Sequence, residues 1–109
     1  MKIAVIGSRG IYNVDLSAYI GEDDEIVSGG AVGVDRCAER YARENGLKLT
    51  VFFPNYKRYG RPAPLYRNQL IVDYADKVIA FWDGQSRGTM YTVEYARKVN
   101  KPCEVITLK

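Results

Sequence analysis

Short apolar runs that stop at glycine or proline alternate with segments of helical periodicity along the whole chain, and this alternation limits the fold more than any other feature. The runs fall at residues 3–6, 25–28, 48–53, 77–82 and 103–108. Between the second and third, Val34, Cys37, Ala38, Tyr41 and Ala42 recur on one helical face, which predicts a helix over 33–45 with Gly46 just past its end. Further helices are expected over 15–20, with Val14, Ala18 and Tyr19 or Ile20 inward, over 64–74, with Pro64 in the first turn, and over 89–99, burying Val93, Ala96 and Val99. Residues 55–64 read as a basic, aromatic loop. Strands that alternate with helices connect by βαβ crossovers, hence a parallel sheet covered on both faces. The almost wholly apolar run 77–82 suits a strand buried on both sides. The expectation is an α/β fold, one domain in 109 residues, with a five-stranded parallel, doubly wound sheet of order 3-2-1-4-5.

In such a sheet ligands bind outside the carboxyl ends of the strands, where successive crossovers diverge. The small and glycine residues concentrate there: Gly7-Ser8-Arg9 after the first strand, Ser28-Gly29-Gly30-Ala31-Val32-Gly33 after the second, and 84–89 after the fourth. A helix that starts beyond such a turn aims free N–H groups and a positive dipole end at whatever occupies it. Gly29, Gly30, Gly88 and Thr89 are therefore candidate phosphate cradles, with Ser8 and Thr92 as hydrogen-bonding partners. Asp35 reads either as a ribose ligand or as a plain helix-start residue. Arg9, Arg67 and Arg87 are candidate anion clamps, with Asn68 beside the second, and Tyr56, Tyr59 and Trp82 are rings that can stack on a base. The segment 57–61 reads equally as a lid or as a solvated loop.

Composition narrows the function. There is no histidine, which removes the commonest general base and metal ligand, and the two cysteines are far apart, so neither a metal nor a cofactor is expected. No apolar run is long enough to span a bilayer and the first residues do not resemble a signal peptide, so the expected location is cytoplasmic, without membrane contact. A net charge of +3 with scattered basic residues argues against nucleic acid as the partner and for a small anion. Tyrosines left over on helix faces, such as Tyr91 and Tyr95 among the nine, are compatible with a homodimer.

Taken in order, Gly7-Ser8-Arg9, the run from Ser28 to Arg36, Phe53-Pro54, Tyr66-Arg67-Asn68-Gln69, Ala75-Asp76 and Gly88-Thr89 resemble the YspA/YpsA-like branch of the SLOG superfamily. That superfamily includes the DNA-processing protein DprA and the LOG nucleotide phosphoribohydrolases. The resemblance implies a Rossmann-like three-layer sandwich with a site for a nucleotide or nucleotide-derived ligand at the three turns. The residues it points to are Gly7, Ser8, Arg9, Ser28, Gly29, Gly30, Gly33, Asp35, Arg67, Asn68, Asp83, Gly88, Thr89 and Thr92. One departure matters. The LOG motif reads Pro-Gly-Gly-x-Gly-Thr-x-x-Glu, and its glutamate position is Thr92 here; Glu94, about 200° further round the helix, does not replace it.

Three functions compete on this basis. The first is binding or sensing of a nucleotide-derived ligand. The second is a nucleotide hydrolase or N-glycosidase with Asp35 or Asp83 as acid–base group, weakened because a polar, glycine-rich turn offers no evident desolvation to raise a carboxyl pKa. The third, ranked lowest, is single-stranded nucleic-acid binding of the DprA kind, resting on 57–61 and the tyrosines.

Overall fold

The computed structural model describes residues 1–108. The elements are β1 (Lys2–Gly7), β2 (Glu25–Ser28), α1 (Val34–Glu44), β3 (Leu49–Val51), α2 (Tyr56–Tyr59), α3 (Ala63–Tyr74), β4 (Lys77–Trp82), α4 (Arg87–Lys98) and β5 (Cys103–Thr107). The strands form one sheet of order β3-β2-β1-β4-β5, parallel at every pairing. The expected order and class are both found. β1 and β4 are central neighbours, in register from Ile3 opposite Lys77 to Gly7 opposite Phe81.

Period-two alternation sorts the strands' side chains into two cores. Ile3 and Val5 of β1 pack with Ile26, Ile79 and Phe81 against Val34, Ala38 and Ala42 of α1. Ala4 and Ile6 face the other way, joining Val27, Val78 and Ala80 against Ile71 and Val72 of α3 and Val93 and Ala96 of α4. The result is a Rossmann-like three-layer sandwich.

Four local expectations are corrected. Residues 15–20 form no helix: the Asp15 carboxylate accepts from the Ser17 N–H and hydroxyl, and Leu16 C=O takes both the Tyr19 and Ile20 N–H groups in a single turn. One turn cannot repay helix nucleation. The segment still covers its core, through Leu16 and Ile20. Second, β3 is shorter than read. Third, the 55–64 loop contains the turn of helix α2, capped where the Asn55 side chain accepts from the Arg58 N–H. Fourth, α4 starts at Arg87, two residues early, because Ser86 is its N-cap, and it stops before Val99, which is exposed.

Candidate nucleotide or nucleic-acid site

The three polar turns meet. The Ser8 N–H donates to Phe81 C=O at 3.0 Å and its hydroxyl accepts from the Asp83 N–H at 3.2 Å, which joins the turns after β1 and β4. The turn before α1 comes in from the other side. Gly33 has φ 81°, and a β-carbon there would lie 2.5 Å from the Arg9 carbonyl oxygen. Only glycine combines that backbone conformation with that approach.

Between the turns and the start of α3 lies a crevice of about 410 Å³. That volume is in the range of small-ligand clefts, roughly 300–1,000 Å³. Of the residues singled out from sequence, Gly7, Arg9, Asp35, Arg67, Asn68, Asp83, Gly88, Thr89 and Thr92 line it. Ser8, Ser28, Gly29, Gly30 and Gly33 are placed behind its wall instead. The Ser28 hydroxyl donates to Glu39 at 2.8 Å, the Gly30 N–H donates to that same hydroxyl at 3.4 Å, and the Arg67 guanidinium lies against Gly29. A phosphate cradle of Gly29 and Gly30 amides is thus not what this turn presents.

Arg67 organises the floor. It is buried at 7% exposure and donates to the carbonyls of Gly29 and Phe52 and to the Asn68 side chain. A β-carbon on Gly29 would sit 2.7 Å from the guanidinium, so the glycine makes room for it. Asn68 in turn donates to the Thr92 hydroxyl at 2.8 Å, which donates to Gly88 C=O at 3.0 Å. Thr92, where the LOG motif has glutamate, therefore braces α4 against α3. Among the described residues no buried side-chain nitrogen or oxygen lacks a partner. Groups left to meet a guest are the exposed Arg9, the exposed Asp83 carboxylate and the Gly88 amide in the first turn of α4, which as in any helix has no intrahelical acceptor.

The two aspartates are driven apart. Asp35 is 7% exposed, and burial pushes its pKa up to about 6, against the Ala31 N–H bond at 3.1 Å and the nearby Arg67 charge. The absence of desolvation expected for this turn is corrected: the carboxyl is buried, and the Arg67 charge that acts on it comes from far away in sequence. Asp83 is exposed, and the amides of Ser86 and Gln85 hold it below the usual carboxylate range.

Other candidates find structural roles. The Trp82 indole donates to Ser86 C=O at 3.0 Å, fixing the β4–α4 turn. Arg87 and Glu94 lie in a separate open groove of about 420 Å³ beside Met90 and Tyr91. The Tyr91 and Tyr95 hydroxyls bond Gln69 and Asp73, so they tie α4 to α3 within the chain. Sequence reasoning missed Ala31, Pro64, Leu65 and Ser86 in the crevice. Pro64 and Leu65 belong to a helix apolar on most sides, which hides which face opens to the site.

This is a Rossmann-like protein whose switch-point crevice carries two arginines and a helix N-terminus, an arrangement suited to a nucleotide or a nucleic acid. A family model described as "YAcAr: YspA, cpYpsA-related SLOG family" matches residues 14–59. DNA processing protein A from Helicobacter pylori, in a structure that concerns its single-stranded DNA binding mode, matches with a TM-score of 0.72 and 25% identity. The match covers 100% of this chain and 66% of that one, so the chain spans just under two thirds of that relative's length. No curated protein matches. Over residues 14–59 the chain is thus similar to a SLOG family, and over its whole length it is similar in structure to DNA processing protein A.

The expectation that nucleic acid is not the partner is overturned by the likeness to a single-stranded DNA-binding protein. Net charge is a sum over the chain, whereas single-strand binding needs only a local groove of cations with rings beside it. No helix among the described residues is long and apolar enough to cross a membrane.

Proposed function

We propose that the crevice binds single-stranded nucleic acid, one nucleotide unit at a time seated between Arg9 and the start of α4. The observation that carries this reading is a cavity of about 410 Å³ lined by the exposed Arg9, the buried Arg67 and Gly88 at the start of α4. An exposed guanidinium and a helix N-terminus suit a phosphodiester. The apolar wall of Pro64 and Leu65 suits the flat faces of a sugar or base. The similarity to a single-stranded DNA-binding structure supports it over the small-ligand reading.

Fluorescence anisotropy with a labelled thymidine 15-mer tests it. Affinity should fall steeply with salt, because cations that neutralise phosphates release counterions. Arg9→Glu should weaken binding at least tenfold. Weak, salt-independent binding, or a 15-mer displaced only by free mononucleotides or ADP-ribose, would return the site to a small nucleotide-derived ligand.

One observation favours a second reading, a nucleotide hydrolase or N-glycosidase. A carboxyl titrating at about 6 inside the crevice is poised for proton transfer near neutrality. Asp35 would protonate the leaving base as water adds to the anomeric carbon, the water's proton passing to solvent. Release of free base from nucleotides, abolished in Asp35→Asn, is the expected signature; no release over hours removes the reading.

A further inference from the structure

The segment that joins β3 to α3 carries exposed rings and cations that the crevice does not use. Phe53 is 71% exposed and Tyr56 57%, and neither belongs to an aromatic pair among the described residues. Phe53 is nonetheless seated. Its Cε1 and Cδ1 lie 2.6 and 3.0 Å from where a Gly30 β-carbon would be, so the ring rests on bare backbone, with its remaining surface in water. Gly30, on which Phe53 sits, adjoins Ala31 in the crevice wall, and Tyr56 follows Phe53 by three residues. By contrast Tyr59 is already stacked on Tyr66, centroids 4.4 Å apart and 26° between planes, with the Arg58 guanidinium 5.1 Å from its ring. That stack anchors α2 to α3.

The charge of the segment is one-sided. From Phe53 to Tyr66 there are three cations, Lys57, Arg58 and Arg61, and no acid. All three are exposed, and none is in an ion pair among the described residues. An apolar protein partner gains nothing from three uncompensated cations. Bases stack on any ring and phosphates seek cations, so this composition fits a strand of nucleic acid.

We propose that Phe53 and Tyr56 form a stacking shelf for a base next to the crevice, with Lys57, Arg58 and Arg61 meeting the adjoining phosphates. A strand leaving the crevice past Arg67 then continues over the β3–α3 segment. The proposal rests on the crevice being a single-strand site, and it extends that site by at least one nucleotide.

The test uses the full chain, the labelled thymidine 15-mer, and thymidine monophosphate as a probe of the crevice alone. Phe53→Ala/Tyr56→Ala should lose on the order of tenfold in 15-mer affinity, within the range of base–aromatic stacking. Monophosphate binding and the melting temperature should be unchanged, since both side chains are mostly in solvent. Phe53→Trp should retain affinity and show stronger fluorescence quenching on adding the 15-mer than the wild type, which carries Trp82 alone. If the 15-mer binds, depends on Arg9, and is indifferent to the double substitution, the shelf is wrong and the crevice reading stands. If the double substitution instead dissociates a dimer and leaves 15-mer affinity intact, the surface belongs to a second copy and the shelf is wrong. If the 15-mer does not bind at all, shelf and crevice reading fall together.

Discussion

Replacing Asp35 by asparagine isolates the electrostatic cost of the crevice floor. Burial moves this carboxyl from 3.8 to about 6, with the Ala31 amide and Arg67 only partly offsetting it. A change of that size is worth about 3 kcal/mol between the two charge states. Because the folded-state value lies above the unfolded one, the native state takes up the proton first. The stability this group contributes is fully present below about pH 3.8 and is lost as pH rises through about 6. Asparagine keeps a carbonyl for the Ala31 N–H and does not titrate. Urea unfolding of both proteins should therefore show wild type minus Asp35→Asn rising by about 2 kcal/mol as pH falls from about 7.5 to about 4.5. Carboxyls held low in the native state, such as Asp24 and Asp83, lose their contribution as pH falls through their folded values. They do so equally in both proteins, so the difference cancels them. A difference that stays flat, or that falls toward acid, would refute the claim that Asp35 is buried with its charge incompletely compensated.

Two further substitutions separate folding from binding. Gly88→Asp should leave the fold intact or steadier by a few tenths of a kcal/mol, since nothing lies within 4 Å of its β-carbon and an acid in the first turn suits the helix dipole. The same carboxylate would stand in the crevice, so 15-mer affinity should drop at least tenfold; unchanged anisotropy titrations would count against the site. Gly29→Ala should do the reverse. Its methyl would meet the Arg67 guanidinium at 2.7 Å and cost roughly 1–3 kcal/mol in denaturant unfolding; a neutral result would mean that Arg67 is not held there.

The sheet was legible because its signal is local. Each strand is a short apolar run and each crossover returns parallel, which together suit a doubly wound sheet of this order. The crevice was legible for a related reason: residues that end central strands must meet at one edge, which placed Gly7, Arg9, Gly88 and Thr89 together. What escaped depends on contacts between distant segments. Residues 15–20 carry a helical pattern, but the Asp15–Ser17 hydrogen bonds win over so short a stretch. Gly29 and Gly30 look like a phosphate cradle until Arg67, 38 residues away, fills the space. Nothing in the sequence near Asp35 announces its burial or the charge of that same arginine acting on it.

Charge was the other quantity that a sum over the chain could not convey. Thirteen acids against sixteen bases describe a nearly balanced protein. In the folded chain the balance is local and uneven. Acids at Glu39 and Glu44 are spent on Arg43 and Arg40 along α1, and Asp24 holds the amino terminus. Asp83 is turned onto amides of its own loop. At the crevice Arg67 and Arg9 face Asp35 and the exposed Asp83, whereas from Phe53 to Tyr66 there is no acid at all. A phosphate approaching the segment from Phe53 to Tyr66 meets three cations with no acid among them, which is how a chain with an excess of only three can present a locally cationic edge.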